Sequence, residues 1–227
     1  MNSERAVILG CFKEIPGDVE ANWNQWYASS HIPARLALPG FMGARRFRAS
    51  EGDYRYVSLY ELLTAEAVSS EPYKKLKQKE TAKPADSFEA QTLQFPGFLR
   101  GIYRQIYPDT EYRMPDAEYL LMVAHDVPSD REDEFNAWYN TEHIPAMLRV
   151  PSVVSARRFT LVQNSTSPDV ERGRPKFLAL YDLTDEFATE SPALIRASDT
   201  PWSNRVRGWA TRRARVVAQQ ITRQMKA

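Results

Sequence analysis

The chain is poor in cysteine, histidine and glycine, with 1, 3 and 9 of them in 227 residues. Each scarcity removes a class of function. The lone Cys11 excludes an internal disulfide framework and a cysteine-based zinc site, and implies a reducing, intracellular setting. His31, His125 and His143 fall in neither His-x-x-x-His nor His-Glu-x-x-His spacing, so no metal is expected. There is no glycine-rich phosphate loop and no Gly-x-Ser-x-Gly elbow, which argues against nucleotide-dependent and serine-hydrolase chemistry. No apolar run approaches the roughly 18 residues of a spanning helix, and the N-terminus lacks a signal-peptide build. A cytoplasmic protein with no membrane partner is the expectation. A formal net charge of +1 supplies no global field to attract nucleic acid. The basic C-terminal stretch (Arg205, Arg207, Arg212, Arg213, Arg215, Arg223, Lys226) reads as a solvated face.

What the chain does have is an ordinary cored composition, 43% apolar and 26% charged, and a repeat. Trp26-Tyr27-Ala28-Ser29-Ser30-His31-Ile32-Pro33-Ala34 returns 112 residues later as Trp138-Tyr139-Asn140-Thr141-Glu142-His143-Ile144-Pro145-Ala146. The same offset pairs Asn24 with Asn136, Pro39 with Pro151, and Ala44-Arg45-Arg46-Phe47 with Ala156-Arg157-Arg158-Phe159. Farther on, Leu59-Tyr60-Glu61-Leu62 matches Leu180-Tyr181-Asp182-Leu183 at an offset of 121. The extra residues of the second copy fall in Gln163 to Pro175, a polar stretch that reads as a lengthened hairpin loop.

Each copy reads alike. An apolar run (Ala6 to Phe12; Tyr119 to Ala124) is a buried strand, and Pro16-Gly17-Asp18 or Pro128-Ser129-Asp130 starts a helix. That helix carries Trp23, Trp26, Tyr27 or Phe135, Trp138, Tyr139 as a core-facing stripe, and the motif proline is expected to end it. Two strands follow (Phe41 to Ala49 with Tyr54 to Leu62; Val153 to Val162 with Lys176 to Leu183). A less regular helical region and a last strand complete the copy (Leu99 to Tyr107; about Ala214 to Ile221). The order β-α-β-β-α-β is ferredoxin-like, with both helices on one sheet face. The expected layout is a first module over 1–107, a linker over 108–116 and a second module over 117–227. The bare sheet faces are then covered by packing the two modules sheet to sheet, an α+β barrel within one chain.

With its paired motif, the chain resembles the dimeric α/β-barrel superfamily, in which two ferredoxin-like units pack sheet to sheet. It is most similar to the EthD-like branch, whose members carry an aromatic-x-x-x-His-x-Pro followed by Pro-Gly. The resemblance spans both units and implies a small-molecule substrate, with a homodimer of the fused chain as a further expectation. Similar barrels include lactone isomerases, polyketide cyclases and oxygenases.

His143, Glu142 and His31 are the candidate catalytic residues. Histidine exchanges protons near neutrality, and at a helix end the ring faces a cavity; the plainer reading is a cap that satisfies carbonyls freed by the proline. Glu142, seven residues after Phe135, falls on the apolar stripe and pairs with His143 as an acid/base couple, or else bonds backbone or arginine. Ser30 stands in its place in the first copy. Arg157 and Arg158, like Arg45 and Arg46, point to opposite sheet faces. An inward arginine holds a substrate carboxylate or enolate, or is an ion-pair partner of Glu61, Asp182 or Glu142. Trp138, Tyr139, Tyr181, Trp26, Tyr27 and Tyr60 are candidate walls for a flat aromatic ligand, or plain core. Tyr54, Tyr56, Ser58 and Tyr60 share a strand face with Phe177, Ala179 and Tyr181 as counterparts. Trp202 and Trp209 are further walls or packing, and His125, opposite Lys13 in the repeat, reads as a surface residue.

Three functions compete. The first is a cofactor-independent isomerase, cyclase or lyase that moves a proton on an aromatic or polyketide-like carbonyl compound. The second is a barrel monooxygenase, haem-binding or cofactor-free. The third is a non-catalytic small-molecule binding barrel.

Overall fold

The computed structural model describes residues 5–92, 95, 97–109, 114–162 and 174–226. The expected lengthened loop therefore lies almost wholly outside the described residues, as does the middle of the expected linker. Eight described strands form a closed barrel: β1 (Ala6–Phe12), β2 (Phe41–Gly52), β3 (Tyr56–Leu62), β4 (Leu99–Tyr107), β5 (Tyr119–Asp126), β6 (Val153–Leu161), β7 (Phe177–Leu183) and β8 (Thr211–Met225). Around the barrel the order is β1-β3-β2-β8-β5-β7-β6-β4, every neighbour antiparallel. Each half contributes its strands in the same order, fourth-first-third-second. The halves meet where β2 pairs with β8 and β4 with β6. Helices α1 (Glu20–Trp26), α2 (Ile32–Leu36), α3 (Glu71–Thr81) and α4 (Phe88–Thr92) cover the first half. Helices α5 (Glu132–Trp138), α6 (Ile144–Met147), α7 (Pro192–Ser198) and α8 (Pro201–Arg207) cover the second. The α+β barrel expected from the sequence is the observed fold. None of the described helices is long and apolar enough to cross a membrane.

Strands buried on both faces explain the unbroken apolar runs. Val7, Leu9 and Cys11 point into the barrel, while Ala6, Ile8 and Phe12 point to the helix layer. On β5, Leu120, Met122 and Ala124 face in and Leu121 faces out. The same alternation sorts the charged residues. Arg45 and Arg157 turn into the barrel, where Arg45 Nη1 lies 2.6 Å from Asp182 Oδ1 and Arg157 holds Glu61 through both terminal nitrogens at 3.0 and 2.9 Å. Each pair crosses between halves, from β2 to β7 and from β6 to β3. Tyr54 departs from its expected strand face: it lies before β3 and packs with the barrel interior, whereas Tyr56 and Tyr60 face the helices.

Breaking one such pair strands a dehydrated charge, so Arg157→Met should cost about 3–5 kcal/mol in urea unfolding. The double change Arg157→Met/Glu61→Leu should recover most of that loss. A single variant as stable as the wild type would show that the pair is not buried in solution.

Candidate functional site

In both halves the motif helix continues through its proline, contrary to the sequence expectation. α1 runs into a π turn, Tyr27–His31, and resumes as α2; α5 runs into Tyr139–His143 and resumes as α6. A proline in an α-helix lacks one donor and pushes its ring against the carbonyl four residues back. A π turn widens the coil, and the Ile32 and Ile144 N–H groups reach back five residues to the Tyr27 and Tyr139 carbonyls. One carbonyl is then left over where proline has no N–H to give, and in the first half Gln224 Nε2 donates to that Ala28 carbonyl at 2.8 Å.

The π turn also builds the site. Residues five apart lie roughly 140° apart around an α-helix of 3.6 residues per turn, but a five-residue closure brings them together. His31 thus sits against Trp26 (centroids 4.4 Å) and Tyr27 (4.6 Å). His143 stacks on Trp138 at 4.6 Å and 27°, with Tyr139 edge-on at 5.2 Å and Tyr181 at 6.1 Å.

Each set lines a cavity between the helices and the outer sheet face. Trp26, Tyr27, His31 and Tyr60 border one of about 340 Å³; Trp138, Tyr139, His143 and Tyr181 border one of about 570 Å³. In both, the histidine Nδ1 is buried without a hydrogen-bond partner among the described residues, as is the Tyr60 hydroxyl of the first, while the buried Tyr181 hydroxyl of the second faces that of Tyr139.

Beneath each cavity lies a buried guanidinium that no carboxylate among the described residues neutralises. Arg158 donates to Asn140 Oδ1 and Asn136 Oδ1 at 2.7 Å each and lies 4.3 Å over the Tyr139 ring. Arg46 donates to Asn24 Oδ1 at 2.9 Å and lies 4.0 Å over Tyr27 and 4.4 Å over Trp23. Burial lowers Arg158 to about 10, so it stays charged at neutrality. Burial also makes protonation of the histidines costly, and cations deepen the effect. His143 is pushed down to about 3, with Arg207, His125 and Arg158 contributing. His31 falls well below its ordinary value, with Arg35, Lys77, Arg46 and Arg100 contributing. Both imidazoles are neutral at pH 7, and burial raises the Tyr139 and Tyr181 phenols.

Two candidates do not join this cluster. Arg157 is in the barrel interior with Glu61, on the other sheet face. Glu142 accepts from Thr200 Oγ1 at 2.5 Å, ahead of α8, and does not bond His143. The π turn is the reason: its extra residue rotates Glu142 off the stripe that a seven-residue step predicts. Trp202 and Trp209 pack against the second core rather than line its cavity.

Other residues were missed. His125 lines the second cavity, 5.7 Å from Phe135 and 6.3 Å from Tyr139. Those contacts repeat the ones Phe12 makes with Trp23 (5.0 Å) and Tyr27 (6.4 Å). Its true counterpart is therefore Phe12, not Lys13, because the repeat slips by one residue between strand and helix and parity flips with it. Continuing the Leu121, Val123 alternation would have found it. Arg207, Arg212 and Arg215, read as a solvated face, border the same cavity. Among the described residues no group of three or more histidines, cysteines and carboxylates is placed to hold a metal.

No family model and no curated protein matches the chain. Solved structures match along its whole length. An anthrone oxidase-like protein superposes with a TM-score of 0.64 at 10% identity, covering 100% of this chain and 96% of that one. A candidate monooxygenase from Fusobacterium nucleatum superposes with 0.61 at 10% identity, covering 100% and 97%. A variant chlorite dismutase from Candidatus Nitrospira defluvii superposes with 0.52 at 11% identity, covering 98% and 93%. These neighbours are dimeric α/β-barrel proteins of the ferredoxin-like kind, and the likeness shows that this chain has their fold.

A histidine whose folded pKa lies below its unfolded value binds fewer protons when folded, so stability rises with pH across that interval. Stability should fall as pH drops from about 6.5 toward 4, by up to about 1.4 kcal/mol per pH unit for each such histidine. His143→Gln should flatten the slope in urea melts at successive pH values; an unchanged slope would mean that His143 is not held neutral.

Proposed function

We propose that the second cavity is the reaction site of a small-molecule enzyme that takes a proton from an aromatic or polyketide-like carbonyl compound without a cofactor. The observation that carries this reading is the grouping of a neutral imidazole and a buried phenol in one aromatic-walled cavity over a guanidinium with no carboxylate among the described residues. Trp138 and Tyr139 flank a flat ring. His143 accepts the proton, and Tyr181 donates to the oxygen that becomes an enolate or phenolate. Arg158, fixed beneath Tyr139, lowers the energy of that anion through the field of an already oriented charge. His31, Tyr27 and Tyr60 over Arg46 form the corresponding set in the first half.

A second reading shares this first step. The superposition on an anthrone oxidase-like protein and on a candidate monooxygenase favours a barrel monooxygenase, in which the deprotonated substrate meets dioxygen. Its cofactor-free form suits the residues better than its haem form. An axial imidazole ordinarily ties its other nitrogen to a carbonyl or carboxylate, and Nδ1 of His31 and His143 has neither among the described residues. We also infer that the chain is a fused tandem of EthD-like modules, 1–107 and 117–227 joined by 108–116. The repeated motif and the equal strand order of the halves support that inference.

Exchange of the acidic proton of anthrones and hydroxylated aromatic ketones into deuterated water, with and without dioxygen, tests the proposal. The wild type should catalyse exchange. His143→Gln should lower the rate at least about 100-fold while melting close to the wild-type temperature, because Nδ1 carries no bond to lose. Dioxygen uptake alongside exchange selects the monooxygenase. A variant that exchanges at the wild-type rate would overturn the role of His143, and one that melts many degrees early would make the ring a structural element.

A further inference from the structure

The first cavity differs from the second in where its charge lies. Five cationic side chains, Arg35, Lys77, Lys79, Lys83 and Arg100, border it against two carboxylates, Glu80 and Glu89. Glu80 is taken by Arg35 at 2.8 Å and Lys77 at 2.9 Å, and Glu89 by Lys83. Lys79 and Arg100 have no carboxylate among the described residues. Arg100 is fixed all the same, since Nη2 donates to the Tyr73 hydroxyl at 2.9 Å.

Sheet register makes the contrast specific. Arg100 lies opposite Gly10 on β1, and Arg215 lies opposite Val123 on β5, so the two arginines are counterparts on the cavity-facing side. Arg215 is neutralised by Glu51 at 2.6 Å, and Arg100 by no carboxylate among the described residues. The residue that steadies Arg100 is also peculiar to the first half. Ser70 caps α3 through the Tyr73 N–H and Ser191 caps α7 through the Leu194 N–H, which places Leu194 where Tyr73 stands. Farther in, the Tyr60 hydroxyl is buried without a hydrogen-bond partner among the described residues, and the walls include Trp26, Tyr27 and Phe12.

We propose that the first cavity is a separate binding site for a flat aromatic carboxylate, with Arg100 as the carboxylate anchor and Lys79 on the rim. A guanidinium suits a carboxylate because two parallel N–H donors match its two oxygens. The aromatic walls take the ring, and Tyr60 meets a polar substituent on its far edge. The four cations that oppose protonation of His31 produce the field that favours an anion there. This site stands independently of the reaction assigned to the second cavity, since it uses neither His143 nor Arg158.

Isothermal titration of the full chain with 2-naphthoate and with its neutral analogue 2-naphthamide tests it. The wild type should bind the acid at least about tenfold more tightly than the amide, the scale of one charge-assisted hydrogen-bonded pair. Arg100→Gln should remove that preference and leave amide binding unchanged, whereas Arg215→Gln should leave both unchanged. Should Arg100→Gln melt early, Lys79→Gln on the exposed rim serves instead, with an expected loss of about threefold for the acid. Equal binding of acid and amide, or loss of the preference in Arg215→Gln instead of Arg100→Gln, would overturn the proposal. Proton exchange at the second cavity should be unaffected by Arg100→Gln, which keeps the two sites' outcomes distinguishable.

Discussion

Inside the barrel two guanidinium–carboxylate pairs, Arg45 with Asp182 and Arg157 with Glu61, join the halves reciprocally. Charges this deep are costly unless closely paired, so the pairs fix which residues of β2, β3, β6 and β7 face inward. The consequence reaches the site through alternation. Once Arg45 and Arg157 face in, Arg46 and Arg158 must face the helices, under Tyr27 and Tyr139. A one-residue slip would exchange them and leave four charges without partners. The cation beneath each cavity is thus set by an ion pair on the opposite face of the sheet.

A second constraint turns that frame into a site. The Ile-Pro step could end the helix or distort it. Here it distorts it, because residues beyond the proline, Leu36 and Met147 among them, are needed in the core. The π turn keeps the helix going while dropping the hydrogen bond that proline cannot make. Its side effect is to gather an indole, a phenol and an imidazole that a regular helix would spread apart. Two occurrences on the same residues argue that the geometry follows from the sequence and not from local crowding.

The fold was largely legible because its signals are local and repeated. The apolar runs of β1 and β5, the Ala-Arg-Arg-Phe pairs and the doubled motif each survive inspection without knowledge of neighbours. The cavity walls Trp138, Tyr139, His143 and Tyr181 were legible for the same reason. What failed depended on phase. Glu142 was projected along a regular helix, and the π turn displaced it. An ungapped repeat places His125 on the wrong face, because the strand and the helix are out of step by one residue between the halves. The contrast between Arg100 and Arg215, the latter legible only as part of a basic stretch, gave no sequence signal, since it depends on whether a carboxylate from another strand reaches them. Contacts between distant segments are invisible to periodicity.

On one frame, several differences then divide the cavities, among them Phe12 against His125, Tyr73 against Leu194, and an Arg100 with no carboxylate among the described residues against an Arg215 held by Glu51. The first cavity offers a fixed, accessible cation and so favours a ligand that arrives charged. The second offers two imidazoles, His143 at about 3 and His125 at about 4, in a field that penalises any new positive charge. A neutral substrate entering there loses nothing on arrival. When its proton moves to His143, the imidazolium that forms is opposed by Arg158 and Arg207, but the anion left behind is favoured by the same two cations. The opposing effects largely cancel only while anion and imidazolium stay in contact. The second cavity therefore suits transfers in which the proton is returned, or the anion consumed, before either partner leaves.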